Sequence, residues 1–258
     1  MEINRINKIQ LNALTFSEQR PFGEHAKIVY VNNQNGKPIV LQTPVMSIPF
    51  GLGKFEDATG RVKYSLDMSF RGKEENPKIA ELYDFLNLLD DKIVTDASKR
   101  GQEWFKKKNR SKDLCKELYA PSVKPAMENG EPTDKYASTF KAKVPFYDGK
   151  FVTPVFDMGT KELLDTPISD ALTKGSLVQS IVKLNGIWFA GGKFGISWEV
   201  KQLKAKETEK LSNYAFADSD DEDDENDDDK EDAGFPDAQG GSNLEDNTVL
   251  DSEEEEDL

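Results

Sequence analysis

Three features of the sequence predict a mainly β fold: short alternating segments separated by glycine turns, a single interruption by helical periodicity, and a terminal run of acid. Together they fit an OB-fold Greek-key barrel with an inserted helical segment and a disordered acidic C-terminal tail. A β-sandwich is the alternative architecture. The expected division is a barrel domain over residues 1–217, with the helical insertion at about 76–118, followed by a tail over 218–258.

The elements follow in chain order. "KIVYV" (27–31) reads as a strand, "NNQNGK" as a turn, and "PIVLQTPVMSI" as the next extended stretch. In "RVKYSLDMSFR" (61–71), Val62, Tyr64, Leu66, Met68 and Phe70 share one face. Lys63, Ser65, Asp67, Ser69 and Arg71 share the other, a face that is either solvated or a binding surface. The period then changes. Asn76 suits a helix N-cap and Pro77 the first helical position. Ile79, Leu82, Leu86, Leu89 and Ile93 follow as one apolar stripe. Asp96 is placed to cap a shorter second helix carrying Trp104 and Phe105, and a loop spans roughly 120–136. Strands resume in "STFKAKVPFYDGKFVTPVFD" (138–157), with Asp148-Gly149 as a hairpin turn. In the block 176–205, Asn185-Gly186 and Gly191-Gly192 read as turns. There, Phe194, Ile196, Trp198 and Val200 alternate with Gly195, Ser197, Glu199 and Lys201.

Charge is segregated. The chain of 258 residues has a formal net charge of -14, yet residues 218–258 alone hold 21 acids and one base, Lys230. The remaining 33 bases and 27 acids leave the body at +6. The body carries all three tryptophans and can build a core, whereas the self-repelling tail, poor in aliphatics, is expected to stay disordered. The single cysteine, Cys115, fits a reducing compartment. Without an apolar signal stretch or membrane-length segment, a soluble intracellular protein is expected.

Catalytic signatures are missing. The lone His25 stands near no evident nucleophile, and one His with one Cys cannot build a structural zinc site. Phosphate-loop and dinucleotide-binding fingerprints are absent. Asp90-Asp91 could serve metal-dependent nuclease chemistry, but near a predicted helix end carboxylates are ordinary. The expectation is a non-enzyme without cofactors.

Binding chemistry is present. Residues 99–116 hold eight bases: Lys99, Arg100, Lys106, Lys107, Lys108, Arg110, Lys112 and Lys116, with Trp104 and Phe105 among them. A positive track with aromatic faces is how single strands are held. Adjacent aromatics on a helix diverge by about 100°, so one can be core and the other exposed. A second set lies on the strands: Lys141, Lys143, Tyr147, Lys150, Trp188 and Lys193. Most of the strand aromatics could equally be core. The tail can fold back onto such a groove. As a flexible coil its 41 residues span ~35 Å r.m.s., and a body of this size has a radius of gyration of ~17 Å.

The order and texture of "LDMSF" (66–70), "EWF" (103–105), "ELYAPSVK" (117–124), "STFKAKVPFYDGKF" (138–151) and "KFGISWEVKQLK" (193–204) are similar to one known family. With the basic barrel, the inserted helix and the acidic terminus, the chain resembles the T7-type phage single-stranded DNA-binding proteins. The likeness extends to their homologues in nucleo-cytoplasmic large DNA viruses. That resemblance implies sequence-independent binding of single-stranded DNA in viral replication, recombination and repair, and a homodimer. It also implies tail contacts (Asp218 to Asp257 and Leu258) with a replicative DNA polymerase and a primase-helicase. The location implied is the viral replication compartment, nuclear or cytoplasmic, with possible packaging in the virion. One departure is that the phage tail ends in an aromatic residue and this chain ends in Leu258. The rival readings are an acidic histone-type chaperone and a virion structural protein.

Overall fold

The computed structural model describes residues 2–23, 25–57, 60–108 and 110–206. The predicted tail, with Asp218, Asp257 and Leu258, lies outside the described residues.

The N-terminal part forms β1 (Thr15–Phe16), β2 (Arg20–Phe22), β3 (Ala26–Val29) and β4 (Val31–Asn32), so the expected strand 27–31 is interrupted at Tyr30. Next come β5 (Val40–Gln42), β6 (Met46–Ser47), β7 (Leu52–Glu56) and β8 (Val62–Ser69). The helices α1 (Pro77–Lys99), α2 (Gly101–Phe105) and α3 (Lys112–Glu117) follow, then β9 (Tyr119–Ala120) and β10 (Val123–Lys124). A small hairpin, β11 (Ala126–Glu128) with β12 (Glu131–Thr133), occupies the stretch expected as loop. After it come β13 (Thr139–Val144), β14 (Phe146–Tyr147), β15 (Lys150–Phe151), β16 (Val155–Asp157), α4 (Ile168–Ala171), β17 (Leu177–Ala190) and β18 (Lys193–Lys206).

The ladders close into a circuit. β5 and β6 pair with β17, and the same stretch of chain continues as β7 and pairs with β8. β8 runs antiparallel to β13, β13 is parallel to β18 at Lys143 and Glu199, and β18 returns antiparallel to β17. Counting 40–56 as one bent strand, five strands make a closed Greek-key barrel, the architecture the sequence predicts. The bend passes Gly51 at φ +69°, where a Cβ would lie 2.9 Å from the Leu172 carbonyl oxygen. Closure leaves the barrel strands without a long open edge.

Alternation fills the interior. Leu66 and Met68, Phe140 and Ala142, Val178 and Val182, and Trp198 and Val200 are buried, and Phe140 meets Trp198 edge-on at 5.6 Å. β17 runs without a break through Asn185-Gly186, so the expected turn there is instead a bulge in the ladder, while Gly191-Gly192 is the hairpin tip. The reason is close packing: at Gly186 a Cβ would stand 2.6 Å from the Val29 carbonyl oxygen on β3. At the tip, φ is +54° and +74°, the left-handed pair a two-residue hairpin needs. Asp148-Gly149, between β14 and β15, has the same signature at +50° and +75°.

The insertion enters between β8 and β13. Asn76 caps α1 by accepting the Lys78 N–H at 3.0 Å, Pro77 is first in the helix, and the stripe Ile79, Leu82, Leu86, Leu89 and Ile93 is buried. Asp96 does not cap a second helix. Nothing between residues 93 and 99 breaks the period, so α1 continues; Asp96 is buried in it, paired with Lys92, and its carbonyl accepts the Arg100 N–H. Asp90 is likewise mid-helix rather than near an end. Its carboxylate accepts from Tyr119 Oη (2.6 Å), the Ser122 N–H (2.7 Å) and Ser122 Oγ (2.8 Å). This clamp holds the return segment, where β9 lies parallel to β18 and β10 antiparallel to β13, filling the barrel wall between those two strands. Burial raises the Asp90 carboxyl above the usual range even though the three donors pull it down. Among the described residues no helix is long and apolar enough to cross a membrane.

Candidate nucleic-acid interface

Strand alternation that buries Leu66, Phe140 and Trp198 turns their neighbours outward. β8 presents Lys63, Ser65 and Asp67, β13 presents Lys141 and Lys143, and β18 presents Ser197, Glu199 and Lys201. Register sets the rows: Lys141 stands opposite Asp67, and Lys143 lies between Ser65 and Glu199. Lys183 of β17 stands on the other side of Glu199. Five lysines (63, 141, 143, 183 and 201) thus share this face with two acids, Asp67 and Glu199. Both acids are engaged. Asp67 is 3.7 Å from the Lys141 ammonium, and Glu199 pairs with Lys201 and accepts from Asn185 Nδ2 at 3.0 Å. Crowding around the Lys143 ammonium disfavours its charge and pushes it below the usual lysine range; Lys63 repels it in the same direction and Glu199 opposes.

The basic run of the insertion sits elsewhere. α2 lies on the β17–β18 hairpin, and its aromatics serve that contact. Trp104 is 2% exposed, with Phe16 edge-on at 5.3 Å and Phe189 at 5.8 Å. Phe105 is half-buried against Phe189 (5.4 Å) and Phe194 (5.1 Å), with the Arg110 guanidinium 4.2 Å from its ring centroid. The expectation that Trp104 offers a free face to bases is therefore corrected, because a helix laid on a barrel end buries the side it packs; Phe105 keeps part of its surface exposed. The cations divide. Lys99, Lys106, Lys107 and Lys108 are exposed, and Lys106 closes α2 in the left-handed conformation. Arg100 pairs with Glu103 at 2.8 Å and Lys112 with Asp91 at 2.6 Å. Arg110 keeps Nε and Nη1 buried without a hydrogen-bond partner among the described residues.

The remaining candidates fall at the two ends of the sheet. Lys193 follows the hairpin tip and is exposed, and α2 packs on the same hairpin, so the basic run and Lys193 share one end. Trp188 faces outward on β17, half-buried, directly opposite Gly195. A Cβ at Gly195 would meet the Ala120 carbonyl oxygen at 2.8 Å and Trp188 Cζ2 at 3.0 Å, so glycine lets the indole lie down on the sheet. Tyr147 and Lys150 face each other on the β14–β15 hairpin, beyond the C-terminal end of β13. That hairpin is anchored by Phe146 and Phe151, which pack on Tyr64 at 4.8 and 4.6 Å, leaving Tyr147 60% exposed. The structure thus unites Lys141, Lys143 and Trp188 on one face, but sets the 99–112 run and the Tyr147–Lys150 hairpin at opposite ends of it.

Sequence reasoning omitted Lys183 and Lys201 as candidates, and noted Lys63 only as part of a polar face. All three alternate with core residues, the signal that could have found them. Among the described residues no cluster of His, Cys, Asp and Glu could hold a metal. His25 is exposed. Cys115 is buried in α3, and burial pushes its thiol up, as suits a packing residue.

The sequence model of a family of unknown function, DUF5871, matches residues 67–218. No curated protein matches the chain significantly. Among solved structures it is similar to the single-stranded DNA-binding protein from bacteriophage Enc34 in complex with ssDNA. The identity is 11%, covering 76% of this chain and 98% of that one, with a TM-score of 0.41. A C-terminal truncation of the Enc34 protein gives 11%, 76% and 96% coverage, and 0.40. The Enc34 protein by itself gives 10%, 80% and 97%, and 0.38.

Proposed function

We propose that this chain, which belongs to the family of unknown function DUF5871, is a sequence-independent single-stranded DNA-binding protein rather than an enzyme. The observation that carries the reading is the outer barrel face. Five lysines stand on it with two acids, Asp67 and Glu199, Asp57 lies beside Lys63, and Trp188 lies flat among the strands. Such a face supplies a phosphate track and a stacking surface without a code for particular bases. Lys99, Lys106, Lys107, Lys108 and Lys193 extend the track past the hairpin end. Tyr147 and Lys150 extend it at the other.

The acidic tail takes part as well. A tethered segment of net charge -20 acts at an effective concentration of roughly millimolar. It competes with DNA for the lysine face and, once displaced, recruits replication proteins such as a polymerase and a primase-helicase. The setting is a viral replication compartment, the work is replication, recombination and repair, and the working form is a homodimer.

A fluorescence-anisotropy titration tests this. A labelled single-stranded oligonucleotide is titrated with residues 1–258 and with residues 1–217 over a salt series, with duplex as control. The expected outcome is single-strand binding whose log affinity falls linearly with log salt and strengthens at low salt when the tail is removed. Absence of binding by both chains would overturn the proposal and favour the chaperone reading, which a histone pull-down would then examine. Equal low-salt affinities would remove the competition by the tail alone.

A further inference from the structure

We infer that Phe55 is a base-stacking side chain, beside Lys63 in a nucleotide subsite that Lys143 completes, at the β7–β8 end of the barrel. The inference rests on the single-strand reading and deepens it. Phe55 is 55% exposed although it lies inside a regular strand pair. It stands directly opposite Lys63, whose ammonium is 5.8 Å from its ring centroid. The next outward pair on the same ladder is Gly53 opposite Ser65, and Lys143 stands opposite Ser65 on the other side.

Side-chain size makes this a pocket in outline. Beside the ring lies a floor of one glycine and one serine, about 7 Å further along the strand. The floor is tight as well as low: a Cβ on Gly53 would come within 3.2 Å of Ser65 Oγ. A flat ring therefore has a wall to stack on and nothing beneath it to clash with. Lys63 flanks this floor along β8 and Lys143 flanks it across the ladder, close enough that Lys63 disfavours the charge on Lys143. A phosphate between them would relieve that repulsion, although Lys63 also has Asp57 at 3.4 Å. One aromatic ring with a lysine at its side offers little apolar area for a protein partner. It matches a base carrying its own anion. Phe55 thus takes the role that burial denies to Trp104.

The test uses the full chain, a labelled oligothymidylate and an abasic strand of equal length. Phe55→Ala is expected to weaken oligothymidylate binding roughly 5- to 150-fold, and to leave abasic-strand affinity within about twofold. Phe55→Trp should retain binding, with indole emission quenched as strand is added. Parent-like oligothymidylate affinity in Phe55→Ala would overturn the inference while leaving single-strand binding in place. So would an equal loss on both strands, since the ring would then serve the fold. Failure of the parent chain to bind either strand would instead bring down the reading beneath it.

Discussion

The two ends of the barrel use their aromatic side chains in opposite ways. At the hairpin end, Trp104, Phe105, Phe189 and Phe194 form one cluster, with ring centroids between 5.1 and 5.9 Å apart, while Lys106, Lys107 and Lys108 beside them are exposed. At the β7–β8 end, Phe55 keeps more than half its surface in solvent, with a lysine at its side. The chain places Trp104 and Phe105 next to three lysines, the arrangement that looks most like a strand-binding motif, and the fold spends those aromatics on packing. Phe55 sits in an unremarkable "LGKFE" and is left open. Adjacency of aromatic and base along the chain is therefore a poorer guide than the side of the element each occupies.

The sharpest way to break this contrast is by truncation. Trp104→Ala is expected to cost about 3–5 kcal/mol in denaturant unfolding, and Phe55→Ala no more than about 0.5 kcal/mol. Similar losses at both positions would erase the distinction. Next in size, Asp90→Asn should cost about 1–3 kcal/mol, because a donor would face the Ser122 N–H. Its pH dependence is informative. The raised carboxyl means the folded chain holds that proton more tightly than the unfolded one. The group's contribution is largest in acid and declines as pH rises from about 4 through the raised value. In Asp90→Asn that decline should vanish from a series of unfolding midpoints.

Gly195→Ala should cost about 1–3 kcal/mol through overpacking against Ala120 and Trp188. A shifted indole emission would report that Trp188 had been lifted from the sheet. The smallest expected change in stability, within about 0.5 kcal/mol, comes from replacing Lys106, Lys107 and Lys108 together by Ala. Binding is where that variant differs: its slope of log affinity against log salt should fall by up to about 2. An unaltered slope would leave those lysines as a solvated face.

Much of the fold was legible beforehand. The alternation in 61–71 and 193–201, the Asn76-Pro77 start of α1 with its apolar stripe, and the glycine turns at 148–149 and 191–192 all stand where the chain's periodicity puts them. These are local properties, set within a few residues by backbone sterics and by which side of an element is apolar. The outward lysines of β8 and β13 were legible for the same reason. Asn185-Gly186 carried the letters of a turn but not its role, because the need for glycine came from Val29, more than 150 residues away. Asp90 looked like one of a pair of ordinary helix carboxylates until Tyr119 and Ser122 closed on it. Trp104 and Phe105 were ambiguous for as long as nothing said which surface α2 would meet. Periodicity tells a residue which side of its own helix or strand it takes; only the packing of distant segments decides whether that side meets core, solvent or a bound strand.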